Sequence, residues 1–321
     1  MILVAKKQNM KYAMKKGSLK GIDDNHSVKT YNFGTKKFTA WAESKGIKHI
    51  DDLPTEEDRI KFVQEYQIWL DDSGYAPSTV HTYLAPVCKA MGFSMAKIQK
   101  KRRTAGYLKR SRDPLANPQG KREATLEKYQ RFMAAQKAIG VRRAELSKLT
   151  GDDLIERNGM MYVRVKKGKH GKFQLQLILP EDQDKLREIW KGIKPKERVF
   201  TKDEVNNKID LHGVRREHCM RAYNYYVDQI NNTPGFKKEL QEDLCRRYWT
   251  YSKKQGDKDA LQKWASTIVY NEKPYELRGE NKAKAINAGA PVEYNRLALI
   301  AISVYQLSHW RLDVSAVNYT A

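Results

Sequence analysis

Apolar residues recur at helical spacing through most of the chain, interrupted once by a short stretch of two-residue alternation. From Ser27, the side chains of Val28, Tyr31, Phe38, Trp41 and Ala42 share one helix face, with Ser27 as a candidate N-cap and Gly46 as the stop. A second helix follows Pro54-Thr55-Glu56-Glu57, carries Ile60, Val63 and Leu70 inward and ends at Ser73-Gly74. Pro77-Ser78 opens a third, through Val80, Tyr83, Leu84 and Val87, in which Pro86 is expected to kink the last turn. Further on, a helix over 123–139 turns at Gly140 into a second one that carries Arg142. Met161 to Val165 and Phe173 to Leu179 then read as two strands joined by the glycine-containing loop 166–172, a β-hairpin. Everything after Pro180 is mostly helical in pattern. The expected fold is mainly α with a small β-hairpin or sheet.

Between Lys97 and Arg122 there are ten Lys/Arg and a single acid, Asp113, with Gly106, Pro114, Pro118 and Gly120 among them. Charges of one sign at that density repel and favour an extended strap along a phosphate backbone. The chain therefore divides into a basic amino-terminal arm over 1–26, a helical domain over 27–105, a basic linker over 106–122 and a second domain over 123–321. Within the strap and its approach, Lys100, Lys101, Arg102, Arg103, Lys109 and Arg110 are candidate DNA contacts, with Thr79 on the third helix.

Over all 321 residues, 61 Lys+Arg stand against 38 Asp+Glu, a formal net charge of +23, which points to a polyanionic partner, nucleic acid first. Cys88, Cys219 and Cys245 are odd in number and show no CxxC spacing, which argues against a disulfide framework or a zinc site and fits a reducing cytosol. Neither a secretory signal pattern nor a long uninterrupted apolar run is present, so neither export nor a membrane span is expected.

Five short segments carry the candidate chemistry. Arg142 and Glu145 are three apart on a helix, so the arginine can fork onto a phosphate while the carboxylate holds it; Arg143 is the adjacent decoy. Lys169 stands at the tip of the hairpin. His212 and Arg215 reach the same point if Leu211 begins a helix, near an end where anions are favoured. His309 is followed ten positions later by Tyr319. Taken alone, each of these patterns is common by chance.

In this order, the set resembles the tyrosine recombinase (phage integrase) family, over a stretch from about residue 27 to the end. Gly140-Val141-Arg142-Arg143-Ala144-Glu145-Leu146 is similar to that family's first-arginine motif, and Gly168-Lys169-His170-Gly171-Lys172 to its lysine hairpin. His212-Gly213-Val214-Arg215 resembles the His-x-x-Arg box, Leu307-Ser308-His309 the Leu-Gly-His box, and Tyr319 stands at the nucleophile's place. The stretch Tyr75 to Leu84 resembles the helical core-binding domain that precedes the catalytic domain in such integrases. Three departures stand out. Ser308 replaces the usual glycine, a change expected to matter little; the His309 to Tyr319 interval is about one residue longer than the family's commonest spacing; and 93 residues separate Arg215 from His309, far more than compact members need. The surplus, roughly 231–300, is expected to be a folded helical insertion whose Trp249, Trp264 and Tyr270 need burial, either within the chain or against a neighbouring protomer. Its end, from Arg278 to Arg311, resembles integrases of bacterial mobile elements.

The resemblance implies a SAM-like core-binding domain followed by an α+β catalytic domain with a helical insertion. It implies an enzyme that cleaves and rejoins DNA through a 3′-phosphotyrosyl intermediate, without metal, cofactor or ATP. Arg142, Lys169, His212, Arg215, His309 and Tyr319 would be catalytic and Glu145 supporting. The implied partners are double-stranded attachment or recombination sites, a tetramer of the chain on DNA and accessory DNA-bending proteins. The implied place is the bacterial cytoplasm, at the nucleoid. Two rivals explain part of the same pattern: a DNA-relaxing enzyme of the type IB topoisomerase kind, and a non-catalytic nucleic-acid-binding protein whose cations only contact phosphates. A metal nuclease is disfavoured, since no Asp/Glu/His cluster has ligand spacing.

Overall fold

The computed structural model describes residues 8–101, 127–157, 159–168, 173–206, 209 and 211–320. Two compact units divide the chain between Thr104 and Ala105.

Among the described residues, the first unit is an assembly of four α-helices. Helix α1 (Met10–Leu19) begins at an Asn9 cap, and α2 (Asn25–Ser44) at Asp24, whose carboxylate accepts the Ser27 N–H; the cap is thus Asp24 rather than Ser27. Helix α3 (Glu56–Asp72) opens with a Thr55/Asp58 capping box, and α4 (Pro77–Met91) has proline at its first position and continues past Pro86 to a left-handed Gly92. Met10, Met14, Phe38, Trp41, Tyr66, Leu70, Leu84 and Val87 form the core. Residues 10–19, expected within the basic amino-terminal arm over 1–26, are part of the packed bundle: Met10 and Met14 are apolar side chains one helical turn apart, and burying them outweighs the pull of the flanking lysines toward water. At Gly34 a side chain would meet the Pro86 ring at 2.9 Å, so glycine there lets α2 approach α4 closely. Thr79 sits half-buried in the first turn of α4.

Lys101 pairs with Asp71, while the Lys100 ammonium donates to the carbonyls of Met95 and Ile98 at 2.6 and 2.8 Å and caps that turn. Arg102, Arg103, Lys109 and Arg110 lie outside the described residues.

The second unit begins, among described elements, with α5 (Gln130–Ile139) and a single-turn helix α6 (Arg143–Leu146). A three-stranded antiparallel sheet follows: β1 (Leu154–Arg157), β2 (Met160–Val165) and β3 (Gln174–Leu177), with Tyr162 opposite Leu177 and Val165 opposite Gln174. The expected hairpin is β2–β3; β1 is an added edge strand, pairing Leu154 with Val163. Helices α7 (Gln183–Trp190) and α8 (Lys202–Val205) lead to the long α9 (Leu211–Asn232).

The insertion supplies α10 (Phe236–Tyr251), α11 (Lys258–Trp264) running into a π turn over Ala265–Val269, β4 (Tyr275–Glu276), α12 (Gly279–Asn287) and β5 (Glu293–Tyr294). Two final helices, α13 (Arg296–Tyr305) and α14 (Leu312–Tyr319), complete the unit.

Helix α13 is apolar all round and buried along its length, which makes it the axis of this unit. Leu240 and Leu244 of α10, Val269, Leu277 and Ala285 pack in one cluster with Leu297, Ile300, Ala301 and Val304 of α13. The insertion is thus built into the core of the same chain, which answers where its apolar face goes. Only one of its three singled-out aromatics is sheltered. Trp264 stacks on Tyr248 at 4.4 Å and meets Trp310 at 5.8 Å, whereas Trp249 and Tyr270 are 44% and 51% exposed. The expectation that Trp249 needs burial fails because α10 turns its 240/244/247 stripe inward and Trp249 lies off that stripe; Tyr270 fails it at the C-cap of the π turn, where only Val269 beside it is buried. No helix of the described residues is long and apolar enough to cross a membrane.

Candidate active site

Helix α5 ends at Gly140, whose φ of 66° and N–H to Gln136 carbonyl bond close a left-handed C-cap. That reversal delivers Arg142 in extended conformation, at the cap position of α6 rather than inside it. The Glu145 carboxylate turns back to accept the Arg142 backbone N–H at 2.9 Å and its guanidinium at 2.7 Å. Arg143 points elsewhere, donating to the carbonyls of Val205 and Ile209.

Arg215 lies one turn into α9 and is 1% exposed. Its Nη1 is 3.8 Å from Glu145 Oε2, and Nη2 makes long contacts of 3.4 Å to the carbonyls of Gln306 and Leu307. Glu145 therefore serves both arginines. Burial pushes its carboxyl up, but Arg142, the Arg142 N–H and Arg215 together hold it below the ordinary value. Burial likewise draws the Arg215 guanidinium down, against the attraction of Tyr319 and Glu145.

His309 sits in the turn between α13 and α14, flanked by Ser308 at φ 54° and Trp310 at φ 62°. Both are non-glycine residues in the left-handed region, each costing on the order of 1 kcal/mol or more. The glycine-to-serine departure at 308 is therefore consequential: it places strain beside the histidine. Ser303, the one polar residue after Arg296 on α13, organises this turn. Its hydroxyl accepts the Arg311 N–H at 2.7 Å and lies 3.1 Å from His309 Nδ1, which also receives that N–H at 3.3 Å. A backbone N–H can only donate, so Nδ1 is the acceptor and the proton of the neutral ring resides on Nε2. Burial, then the positive charges of Arg215, Arg142 and Arg311, depress the His309 pKa to about 3. The ring stays neutral through the physiological range.

Tyr319 closes α14, half-buried, with its ring centroid 6.1 Å from that of His309 and 5.9 Å from Arg215 Cζ. Around it, Arg215 Nε, Arg215 Nη1 and His309 Nε2 are buried and have no hydrogen-bond partner among the described residues. Buried donors left without an acceptor cost about 1–3 kcal/mol each, so their gathering beside one tyrosine suits an anion with oxygens to fill them.

The structure thus brings together Arg142, Glu145, Arg215, His309 and Tyr319. His212 lies exposed in the first turn of α9, one turn before Arg215. Lys169 lies outside the described residues. Tyr305, the other tyrosine near the motif, is 3% exposed and its hydroxyl donates to Asp243. Reading the sequence misses Ser303, Gln306, Gln176 and His218 around the site. The one available signal was polarity where an apolar stripe was due.

No family model and no curated protein matches the chain. Among solved structures, the chain is similar to the Tn1549 transposon integrase in complex with transposon right-end DNA, at 13% identity and a TM-score of 0.39, covering 88% of this chain and 99% of that one. It is also similar to XerA recombinase, at 12% identity and a TM-score of 0.23, covering 80% and 98% respectively.

Proposed function

We propose that the chain is a site-specific DNA recombinase or integrase that breaks and rejoins strands through a tyrosine. The observation that carries this reading is the set of unfilled, buried donors on Arg215 and His309 beside the ring of Tyr319, with Arg142 joined to Arg215 through Glu145.

In the proposed reaction Tyr319 Oη attacks the scissile phosphorus, the O–P bond forms as the bond to the 5′ oxygen breaks, and a 3′-phosphotyrosyl ester results. Tyrosine has an ordinary pKa near 10, so its proton must leave as attack proceeds. His309 is a poor recipient, because its Nδ1 is occupied by the Arg311 N–H and its Nε2 carries the proton. His212, exposed at the mouth of α9, is assigned as the base, and His309 as a donor to a non-bridging oxygen. Arg142 and Arg215 hold the remaining charge in planar forks, and Lys169, on the sequence reading, protonates the departing 5′ oxygen. The ester stores the energy of the broken phosphodiester, so a 5′ hydroxyl from another strand reverses the step without ATP. Exchange of two duplexes needs four tyrosines, hence a tetramer on DNA, with bending proteins as helpers.

The test is incubation with suicide duplexes drawn from a random-sequence pool, followed by denaturing electrophoresis. A covalent adduct from the wild-type chain, lost in Tyr319→Phe, supports the reading. Adduct formation undiminished in Tyr319→Phe, or sequence-specific binding with no adduct on any duplex, overturns it; the latter result favours a binding protein.

A further inference from the structure

A buried polar chain unused by the proposed chemistry ties together the three backbone segments that carry Arg142, Arg215 and His309. His218 stands one turn after Arg215 on α9, 1% exposed. Its Nδ1 faces the Lys137 carbonyl at 2.8 Å, in the last turn of α5, and its Nε2 faces Gln306 Oε1 at 2.9 Å; burial lowers its pKa, and the neutral ring has one N–H to donate to one of these two acceptors. Gln176 on β3, fully buried, makes the parallel connection: its Nε2 donates to the Ile139 carbonyl at 2.6 Å and to Gln306 Oε1 at 2.5 Å. Gln306 in turn donates to the Leu177 carbonyl, and its own carbonyl receives Arg215 Nη2.

Geometry at Gly140 shows how tight this junction is. A Cβ there would stand 2.2 Å from His218 Cδ2, so the turn leading to Arg142 lies directly against the His218 ring. At the other end, Gln306 opens the strained turn whose residues 308 and 310 have positive φ. A turn with two unfavourable backbone conformations persists only where its surroundings over-determine it. Ser303 holds that turn from within, and the His218–Gln306–Gln176 chain ties its first residue to α9 and β3.

We propose that His218 is a positioning residue: it holds the Arg142 turn and the His309 turn in fixed register with Arg215, so that their donors face one phosphate. This rests on the function proposed above. His218 touches none of the reacting atoms; it acts through the Lys137 carbonyl and Gln306. Two half-mimics separate its tethers. The amide nitrogen of His218→Asn reproduces Nδ1 and keeps the Lys137 bond, whereas His218→Gln reproduces Nε2 and keeps the Gln306 contact.

The experiment compares His218→Leu, His218→Asn and His218→Gln with Val199→Ala, a cavity variant in the apolar cluster around Phe132 and Leu146. Two readouts are taken: single-turnover adduct formation against DNA affinity, and hydrogen exchange of the DNA-free chain. The expected result is adduct formation slowed on the order of tenfold or more in His218→Leu, at near wild-type affinity, with partial recovery in the half-mimics. Loss of that magnitude corresponds to small displacement of preorganised donors. Exchange should quicken at 139–146 and 306–311 together in His218→Leu. Val199→Ala should lose stability without either change. An equal slowing in Val199→Ala at matched stability, or exchange that quickens throughout the unit, overturns the proposal. Absence of adduct from the wild-type chain would sink the function, while the exchange pattern would still decide whether His218 links the two turns.

Discussion

Tyr305 and Tyr319 are each set beside an arginine and a nearby carboxylate, but the two trios differ in what their arginines have left to offer. Arg247 lies 4.3 Å from the ring of Tyr305; its Nε donates to Asp243 at 2.9 Å and its Nη1 to the Leu175 carbonyl at 3.3 Å, while the Tyr305 hydroxyl donates to the same Asp243. Donors and acceptors there satisfy one another inside the core. Arg215, 5.9 Å from the ring of Tyr319, touches Glu145 only at 3.8 Å and keeps Nε and Nη1 without a hydrogen-bond partner. The same three residue types thus make a satisfied structural lock in one place and leave buried donors without acceptors in the other. Burial pushes the Tyr305 hydroxyl well above its ordinary value, against Arg247, which leaves it unsuited to lose a proton.

The largest test exchanges the two hydroxyls. Tyr319→Phe should abolish the covalent adduct while leaving DNA affinity nearly intact. Tyr305→Phe should keep adduct formation and lower stability by about 1 kcal/mol, since the half-buried Asp243 loses one donor while keeping Arg247. An adduct that survives Tyr319→Phe and vanishes in Tyr305→Phe would invert the comparison.

Next in size are the arginines. Arg215→Lys and Arg142→Lys should each slow cleavage on the order of a hundredfold, because an ammonium cannot span two oxygens in a planar fork. Arg247→Lys should instead appear in thermal unfolding, with cleavage by the folded fraction unchanged. Equal cleavage by Arg215→Lys and wild type, measured in single-turnover assays, would remove Arg215 from the anion site.

A smaller effect concerns pH. The folded pKa of His309, about 3, is below its unfolded value near 6.5, so the unfolded chain binds the extra proton between them. Its contribution to stability is present above pH 6.5 and is lost as pH falls toward 3. Urea unfolding across that window should therefore show a shallower acid loss in His309→Asn than in wild type. Parallel curves would mean that the ring is not held neutral.

The smallest expected change is a gain. Ser308→Gly relieves one left-handed non-glycine residue and should stabilise the chain by roughly 0.5–1 kcal/mol, the backbone relief being partly offset by a more flexible unfolded state. A melting temperature unchanged or lowered in Ser308→Gly would show that the serine side chain, not backbone strain, governs this turn.

Much of the scaffold was legible from local pattern. Capping residues and proline or glycine punctuation marked α3 and α4, and two-residue alternation marked the β2–β3 hairpin. Helix α1 was hidden by its lysines, and β1 by Leu154-Ile155-Glu156-Arg157, which lacks alternation and is an edge strand held on one side. In the site, the order of Arg142, Arg215, His309 and Tyr319 was readable because each residue type is chemically suited to a phosphate. Their convergence was not, since 93 residues lie between Arg215 and His309 and the insertion stands between them in sequence but packs around α13 in space.

What the chain determined by itself is therefore what depends on neighbours in sequence: helix starts and stops, the hairpin, the basic balance, the supply of anion-binding side chains. Tertiary structure alone decided that the Tyr305 hydroxyl is bound to Asp243 while Tyr319 lies against Arg215 and His309, and that Ser308 is strained. It also decided that His218, Gln176 and Gln306 link three distant segments. Those outcomes depend on burial and on which donors find acceptors across long sequence separations. Spacing along a chain does not record such pairings; packing does.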